Sequence, residues 1–421
     1  AGPAVIISFL IAGIVCGAAV MCYAEFASMI PVAGSAYTFT YTTVGEIMAW
    51  IIGWDLILEM LMAGSVISKY WGVYLNDFMR LMGWNANTNL TFGSFHIDIA
   101  PIIIVAFFTT LLVFGTKIGA RVDGAMTVLK IAIVFFVVIV GFFYVKASNF
   151  TPFIPPSQPA STVEGSSAVT GVMTQPLWQF ATGMTPSVYG VPGILSGAAL
   201  VFFAFIGFDV VATASEETKN PHKNVPLGIG VGMLLIIVMY MLVAVVTTGM
   251  VSYADLAKQD SPSLATAFEL VGADWAAKII SFGIVLGLAT VVMVLLLGLT
   301  RIVFAMSRDG LLPRGLSKTG KHGTPAALQI VVGAVVALVA AFFDIGVLSD
   351  MVNIGTLSAF TLVAISIPIM RKKRPDLPRA FKMPGSPWIP ILIAVANFWL
   401  MLNLSVLTWI RFVVWLVVGF A

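Results

Sequence analysis

Long apolar runs recur along the whole chain, and they constrain its fold more than any other feature. A helix needs roughly 20 apolar residues to cross the hydrocarbon core of a bilayer, which is about 30 Å thick. Membrane β-strands would instead show short segments of alternating polarity, and these runs are continuous. The sequence therefore predicts an all-α integral membrane protein. Its eleven predicted transmembrane spans are 4–27, 45–75, 101–115, 125–145, 194–213, 226–251, 275–304, 325–343, 350–370, 389–404 and 406–420.

The composition excludes the main soluble classes of protein. Apolar residues make up 59% of the 421 residues and charged residues only 10%, whereas about a quarter of a typical soluble chain is charged. A soluble enzyme, a disordered protein and a nucleic-acid-binding protein are therefore excluded. The net charge of +3 indicates no polyanionic partner. Cys16 and Cys22 lie on different faces of one predicted helix, so no disulfide is expected between them.

No motif for catalysis, for a metal or for a cofactor is found in the sequence. The segment from Gly315 to Lys321 begins like a phosphate-binding loop, but His322 stands where Ser or Thr should ligate magnesium. The other two histidines, His96 and His222, are far from it in sequence, which gives no metal-ligand spacing. We therefore expect neither an enzyme nor a bound metal or cofactor.

The distribution of basic residues predicts the orientation in the membrane. Loops on the cytoplasmic side carry an excess of Lys and Arg. The side rich in basic residues is therefore predicted to be cytoplasmic, with the C-terminus on that side. The first span lacks the basic leader of a cleavable signal peptide. Basic residues concentrate at alternate loops, in Lys117, Arg121, Lys219, Lys223, Arg301, Arg308, Arg314, Lys318, Lys321, Arg371, Lys372, Lys373, Arg374, Arg379 and Lys382.

A single membrane domain over residues 1–421 is predicted, with two notable loops. Residues 146–193 form a long external loop rich in Pro, Ser, Thr and Gly, which favours a flexible cover. A lid over an outer vestibule is the alternative. Residues 371–388 form a basic cytoplasmic loop.

Four ionisable residues fall inside the predicted spans, where each costs at least about 2.5 kcal/mol at the centre of a helix. Asp55 and Glu59 are four residues apart and therefore share one helix face. They either bond to another helix or face a cavity. Lys130 either extends its amine to the cytoplasmic side or faces the interior of the bundle. Asp209 follows an aromatic run.

Gly207 interrupts the span 194–213 and is expected to break that helix. A glycine inside a helix costs about 1 kcal/mol relative to alanine, and a packing role is the alternative. Unwound backbone is tolerated at membrane depth only beside a polar cavity. Exposed carbonyl oxygens suit an ammonium group, and the N-terminus of a half-helix suits a carboxylate. An amino acid has both groups.

Several stretches along the whole chain resemble the amino acid–polyamine–organocation superfamily, in its cationic amino acid transporter branch. The resemblance implies a LeuT-like inverted-repeat bundle that transports L-amino acids by alternating access, in the plasma membrane of a bacterium. The stretches are 23–27 (YAEFA), 31–37 (PVAGSAY), 53–59 (GWDLILE), 202–209 (FFAFIGFD), 216–221 (EETKNP), 301–313 (RIVFAMSRDGLLP), 353–357 (NIGTL) and 374–379 (RPDLPR).

The resemblance also implies which residues bind the substrate. Phe203, Ala204 and Ile206, next to Gly207, would offer backbone carbonyls to the amino group of the substrate. Phe203 would in addition act as an aromatic gate. Met293 falls on the helix that lines the side-chain pocket in the family.

A proton is the coupling ion that the resemblance implies. Lys130 matches a lysine that, in proton-coupled relatives, occupies the place of sodium in sodium-coupled ones. Asp209 matches an acidic position linked to proton sensing, and Asp209 and Glu59 favour a cationic substrate. Met293 favours a shorter pocket, so neutral and cationic amino acids are both predicted. An exchanger, and a sensor that binds without transport, are the alternatives.

The chain departs from the family pattern at its start. The family begins with a broken helix whose Gly-x-Gly pattern binds the substrate carboxylate, and residues 1–4 resemble the loop after it. Eleven spans, against twelve in the family, agree with that interpretation. We therefore expect a missing N-terminal helix of the same protein as a partner, beside the L-amino acid and the lipid bilayer.

Overall fold

Helices account for nearly all of the chain that the structure describes. The described ranges contain fifteen α-helices, five short 3-10 helices and two small antiparallel sheets. The computed structural model describes residues 1–29, 35–43, 45–84, 88–92, 95–115, 119–162, 171–207, 220–259, 262–320, 324–376, 379 and 381–420.

The elements follow one another in a simple order, with helices joined by short connections. The α-helices are α1 (Val5–Met29), α2 (Ser35–Thr43), α3 (Glu46–Leu81), α4 (Ile99–Phe114), α5 (Gly119–Phe142), α6 (Leu177–Thr182), α7 (Gly190–Val201), α8 (Pro221–Met250), α9 (Tyr253–Ala257), α10 (Leu264–Leu270), α11 (Asp274–Arg308), α12 (Ala326–Phe342), α13 (Ile345–Lys373), α14 (Trp388–Leu402) and α15 (Val406–Phe420). The 3-10 helices cover Gly2–Ala4, Ala147–Phe150, Ala160–Thr162, Phe202–Phe205 and Arg314–Ser317. The antiparallel strand pairs are β1 (Asn89–Phe92) with β2 (Phe95–Asp98) and β3 (Gln158–Pro159) with β4 (Ser187–Val188).

Each predicted span overlaps one of these helices. Six of the described helices, α1, α3, α5, α8, α11 and α13, are long and apolar enough to cross a membrane. The other apolar helices, α4, α7 with the 3-10 turn after it, α12, α14 and α15, have 10–17 residues. The prediction of a helical, multi-pass membrane protein is thus supported. The number of eleven crossings stays a prediction.

Helix α3 lies at the centre of the bundle. In its most apolar stretch 67% of the residues are buried, against 22% for α8. It packs on α11, α13, α12 and α4, whereas α1 packs mainly on α8 and α7. Helix α13 approaches α3 closely at Gly355, where a Cβ would lie 3.5 Å from the carbonyl oxygen of Asp55. Such small residues let helices pack tightly in lipid, where apolar burial between helices gives little driving force.

The external loop contains more regular structure than a flexible cover would. It includes α6 and the pairing of β3 with β4. The Leu177 N–H donates to the Leu404 carbonyl at 2.9 Å, and the Val406 N–H donates to the Gln175 carbonyl at 3.1 Å. These bonds tie the described part of the loop to the start of α15.

The basic loop predicted at 371–388 begins later than expected. Helix α13 continues through Lys373, so three of the basic residues form its last turn. Cationic side chains in the last turn stabilise a helix by interacting with its partly negative C-terminus, and this interaction favours the extension.

Candidate functional site

The helix that Gly207 was predicted to break is interrupted in the structure. Helix α7 ends at Val201 and is followed by the 3-10 turn Phe202–Phe205. Ile206 is extended, and Gly207 has a φ of +116°, a conformation that side chains disfavour. Residues 202–207 are called the unwound segment below. The second half-helix and Asp209 lie outside the described residues.

Two of the three carbonyls predicted to bind the substrate accept a hydrogen bond from the protein. The Phe203 carbonyl accepts from the Ile206 N–H at 3.2 Å. The Ala204 carbonyl accepts from the Tyr240 hydroxyl of α8 at 2.6 Å. A carbonyl oxygen has two lone pairs and can accept a second bond. The sequence analysis did not identify Tyr240, because a tyrosine within an apolar helix shows no local sign of its partner.

Three phenylalanines of the unwound segment have different surroundings. Phe202 and Phe205 are buried. The Phe202 ring packs edge-on against Phe360 with centroids 5.8 Å apart, and the Phe205 ring against Tyr240 at 5.2 Å. Phe203 is only half-buried. It is therefore the least enclosed of the three, and its role as a gate stays a prediction.

Lys130 and Met293 meet the same helix, α11. Met293 lies on α11 and is buried. Lys130, on α5, is half-buried and packs its alkyl chain against Gly287 of α11, where a Cβ would lie 3.2 Å from Lys130 Cγ. Gly287 precedes Met293 by less than two helical turns. The structure thus brings Lys130 to the helix that carries the predicted pocket residue, and whether its amine faces the interior stays a prediction.

Asp55 and Glu59 are both fully buried on α3. The Ser358 hydroxyl of α13 donates to Asp55 Oδ2 at 2.7 Å. A bond to another helix was one of the two interpretations of this residue, and for Asp55 it is confirmed. Glu59 lies one turn further along the same face of α3, and its assignment to substrate binding stays a prediction.

Asn353 was not predicted to belong to the site, although it begins the NIGTL stretch of α13. Its side-chain amide donates to the Leu200 carbonyl at 3.4 Å, in the last turn of α7. Its Oδ1 is buried and accepts no hydrogen bond within the described part of the chain. Buried polar atoms usually have a partner, so Asn353 offers an acceptor close to the end of α7.

A second polar cluster joins the ends of α1 and α13. The buried Glu25 carboxylate accepts two hydrogen bonds from the Arg371 guanidinium, at 2.9 and 2.6 Å, and one from the Met383 N–H at 2.8 Å. Arg371 also donates to the Met383 carbonyl at 2.7 Å, and Arg379 Nε lies 3.7 Å from Glu25. The loop after α13 is thereby fixed to the end of α1. The sequence gave a signal only in that Glu25 and Arg379 lie in two of the family-like stretches.

Comparison with known proteins adds evidence that is independent of this geometry. A family model of amino acid permeases matches residues 1–420. The chain is 42% identical over 427 residues to the branched-chain amino acid permease BcaP of Bacillus subtilis, over 100% of this chain and 84% of that protein. It is 39% identical to the methylthioribose transporter of Bacillus subtilis, over 100% of this chain and 85% of that protein. It is 37% identical to cationic amino acid transporter 3, mitochondrial, of Arabidopsis thaliana, over 88% of this chain and 57% of that protein.

Proposed function

The chain belongs to the amino acid permease family, and on that premise we propose that it is a secondary active transporter of L-amino acids that works by alternating access. The interruption of α7 carries this proposal. An apolar helix loses backbone hydrogen bonds there, which costs several kcal/mol per unsatisfied group in lipid unless a partner is supplied. Carbonyl oxygens at the interruption suit the ammonium group that every amino acid has. Plasma-membrane location and a cytoplasmic C-terminus are part of the proposal.

Neutral and cationic amino acids are both proposed as substrates, with neutral aliphatic ones as the first to test. Asp55 is bonded to Ser358, and Met293 is buried among apolar residues. These features favour an uncharged side chain, because a guanidinium or ammonium group buried without a partner is costly. The similarity to a branched-chain permease supports the same order. Glu59 is the carboxylate that remains for a cationic side chain.

We propose proton coupling through Lys130, with Asp209 as a second participant. An amine against the wall of a helix bundle changes its proton affinity when its neighbours change, because burial favours the neutral form and a nearby carboxylate favours the charged form. A rearrangement during transport would therefore release or capture a proton. Amino acid exchange is the alternative mode of transport.

Uptake into proteoliposomes tests the proposal. Labelled L-leucine, L-arginine, L-glutamate and methylthioribose are each offered, with and without an acidic outside. We expect uptake of leucine, weaker uptake of arginine and stimulation by the proton gradient. Uptake only when an amino acid is present inside would indicate an exchanger. Binding without any uptake would indicate a sensor, and uptake of methylthioribose alone would contradict amino acid transport.

A further inference from the structure

Side chains of neighbouring helices hold the carbonyls of α7 and of the unwound segment. Besides the Ala204 bond from Tyr240, the Ser8 hydroxyl of α1 donates to the Ile194 carbonyl at 2.8 Å. The Cys16 thiol of α1 lies 3.9 Å from the Phe205 carbonyl, within the range of a weak S–H hydrogen bond. Of these contacts the Tyr240 bond is the shortest, at 2.6 Å.

The Ala204 carbonyl lies where a donor from outside the helix is needed. The last carbonyls of any helix lack an intrahelical N–H partner, and Ala204 is in the last turn before the extended Ile206. At membrane depth water does not supply the missing donor. The Tyr240 hydroxyl supplies it, and this makes the Ala204 carbonyl a point of attachment for the segment.

The ring of Tyr240 is held in place on two sides. It packs edge-on against Phe205 with centroids 5.2 Å apart, and it packs against Phe9 of α1 at 6.0 Å. Phe9 and Phe205 also contact each other, at 6.4 Å. Three rings from α1, α8 and the unwound segment therefore fix the direction in which the hydroxyl points, so the bond is preorganised rather than one of several rotamers.

We propose that Tyr240 is a positioning residue for amino acid binding, which acts by holding the Ala204 carbonyl. This inference rests on the proposed function. Ala204 then serves as an anchor, and the carbonyls of Phe203 and Ile206, on either side of it, are the groups that the anchored segment presents to the substrate amino group. Without the hydroxyl, the segment would sample several conformations, and binding would have to select the competent one.

Tyr240→Phe tests the proposal, because it removes one oxygen and keeps the ring. Tyr74→Phe is the matched control: the Tyr74 hydroxyl of α3 accepts from the Leu264 N–H at 3.2 Å, so this variant also removes a hydroxyl bonded to the backbone. Calorimetric titration with L-leucine in detergent gives the Kd of each variant, and thermal unfolding gives its Tm. We expect the Kd of Tyr240→Phe to rise by about tenfold, the equivalent of one good hydrogen bond. We expect the Kd of Tyr74→Phe to stay unchanged and the two Tm values to be similar.

Each other outcome overturns the inference. An unchanged Kd in Tyr240→Phe, with amino acid binding intact in the unmodified chain, would contradict the inference and leave the proposed function standing. A Tyr240→Phe chain that does not fold, beside a folded Tyr74→Phe chain, would assign the hydroxyl to stability alone. If the unmodified chain bound no amino acid of a full panel, the proposed function and this inference would both be wrong.

Discussion

Removing the guanidinium of Arg371 should strongly destabilise the protein, because it leaves a buried charge. The Glu25 side chain has no solvent exposure, and Arg371 supplies two of its hydrogen bonds. Arg371→Met keeps most of the apolar stem and removes the charge and all the donors. Glu25 would retain the Met383 N–H at 2.8 Å and the more distant Arg379 at 3.7 Å.

The expected loss follows from burial. Removing one partner of a buried ion pair typically costs 3–5 kcal/mol, and the two remaining partners of Glu25 place the estimate at about 3 kcal/mol. The exposed pair Arg374–Asp376, in the loop after α13, is the matched control. Its side chains are 45% and 62% exposed at a distance of 3.2 Å, and such pairs contribute about 0–1 kcal/mol. The hydrogen bond from Arg374 still lowers the pKa of the Asp376 carboxyl.

Unfolding in mixed detergent, followed by tryptophan fluorescence, measures both variants against the unmodified chain. We expect Arg371→Met to lower the free energy of unfolding by about 3 kcal/mol and Arg374→Met by less than about 1 kcal/mol. The double variant Glu25→Gln with Arg371→Met should recover part of the loss, because no charge is then left unpaired. Equal effects of the two single arginine variants would refute the reasoning.

Three further predictions concern the site. Lys130→Ala should abolish uptake driven by a pH gradient while Lys146→Ala, at an exposed position, leaves it unchanged; gradient-driven accumulation in Lys130→Ala would exclude its coupling role. Gly207→Ala should weaken amino acid binding, because a positive φ costs a side-chain residue about 1–3 kcal/mol, and calorimetry showing an unaltered Kd would contradict this. Ser358→Ala should lower the Tm, because a buried hydrogen bond to a charged acceptor contributes about 1.5–3 kcal/mol; if the fall exceeds that of Thr361→Ala, which removes a hydroxyl bonded to the Leu357 carbonyl, the Asp55 bond is confirmed, and equal falls would contradict it.

The sequence predicted the positions of the membrane helices well, because length and apolar composition alone decide whether a helix can sit in lipid. It also predicted the interruption at Gly207, since glycine is the residue that adopts a positive φ without strain. Both properties are local, so a single sequence contains them. Only the helix ends differ: α13 extends to Lys373 because basic residues suit the last turn of a helix.

The polar contacts of the site could not be predicted in the same way. Tyr240 lies 36 residues from Ala204, Asn353 lies 153 residues from Leu200, and Glu25 lies 346 residues from Arg371. No periodicity or spacing connects such pairs. The sequence marks these residues as polar groups in or beside apolar runs, which indicates that each needs a partner, and only the packing of the helices decides which partner it meets.

Accumulation of labelled L-leucine by proteoliposomes tests the central claim most directly. The unmodified chain is reconstituted at neutral internal pH, the outside is acidified, and the internal leucine concentration is followed with time. We predict accumulation above the external concentration, collapse of that gradient on addition of a protonophore, and competition by unlabelled branched-chain amino acids. Uptake no faster than in protein-free liposomes, for leucine and for every other L-amino acid tested, would contradict the account.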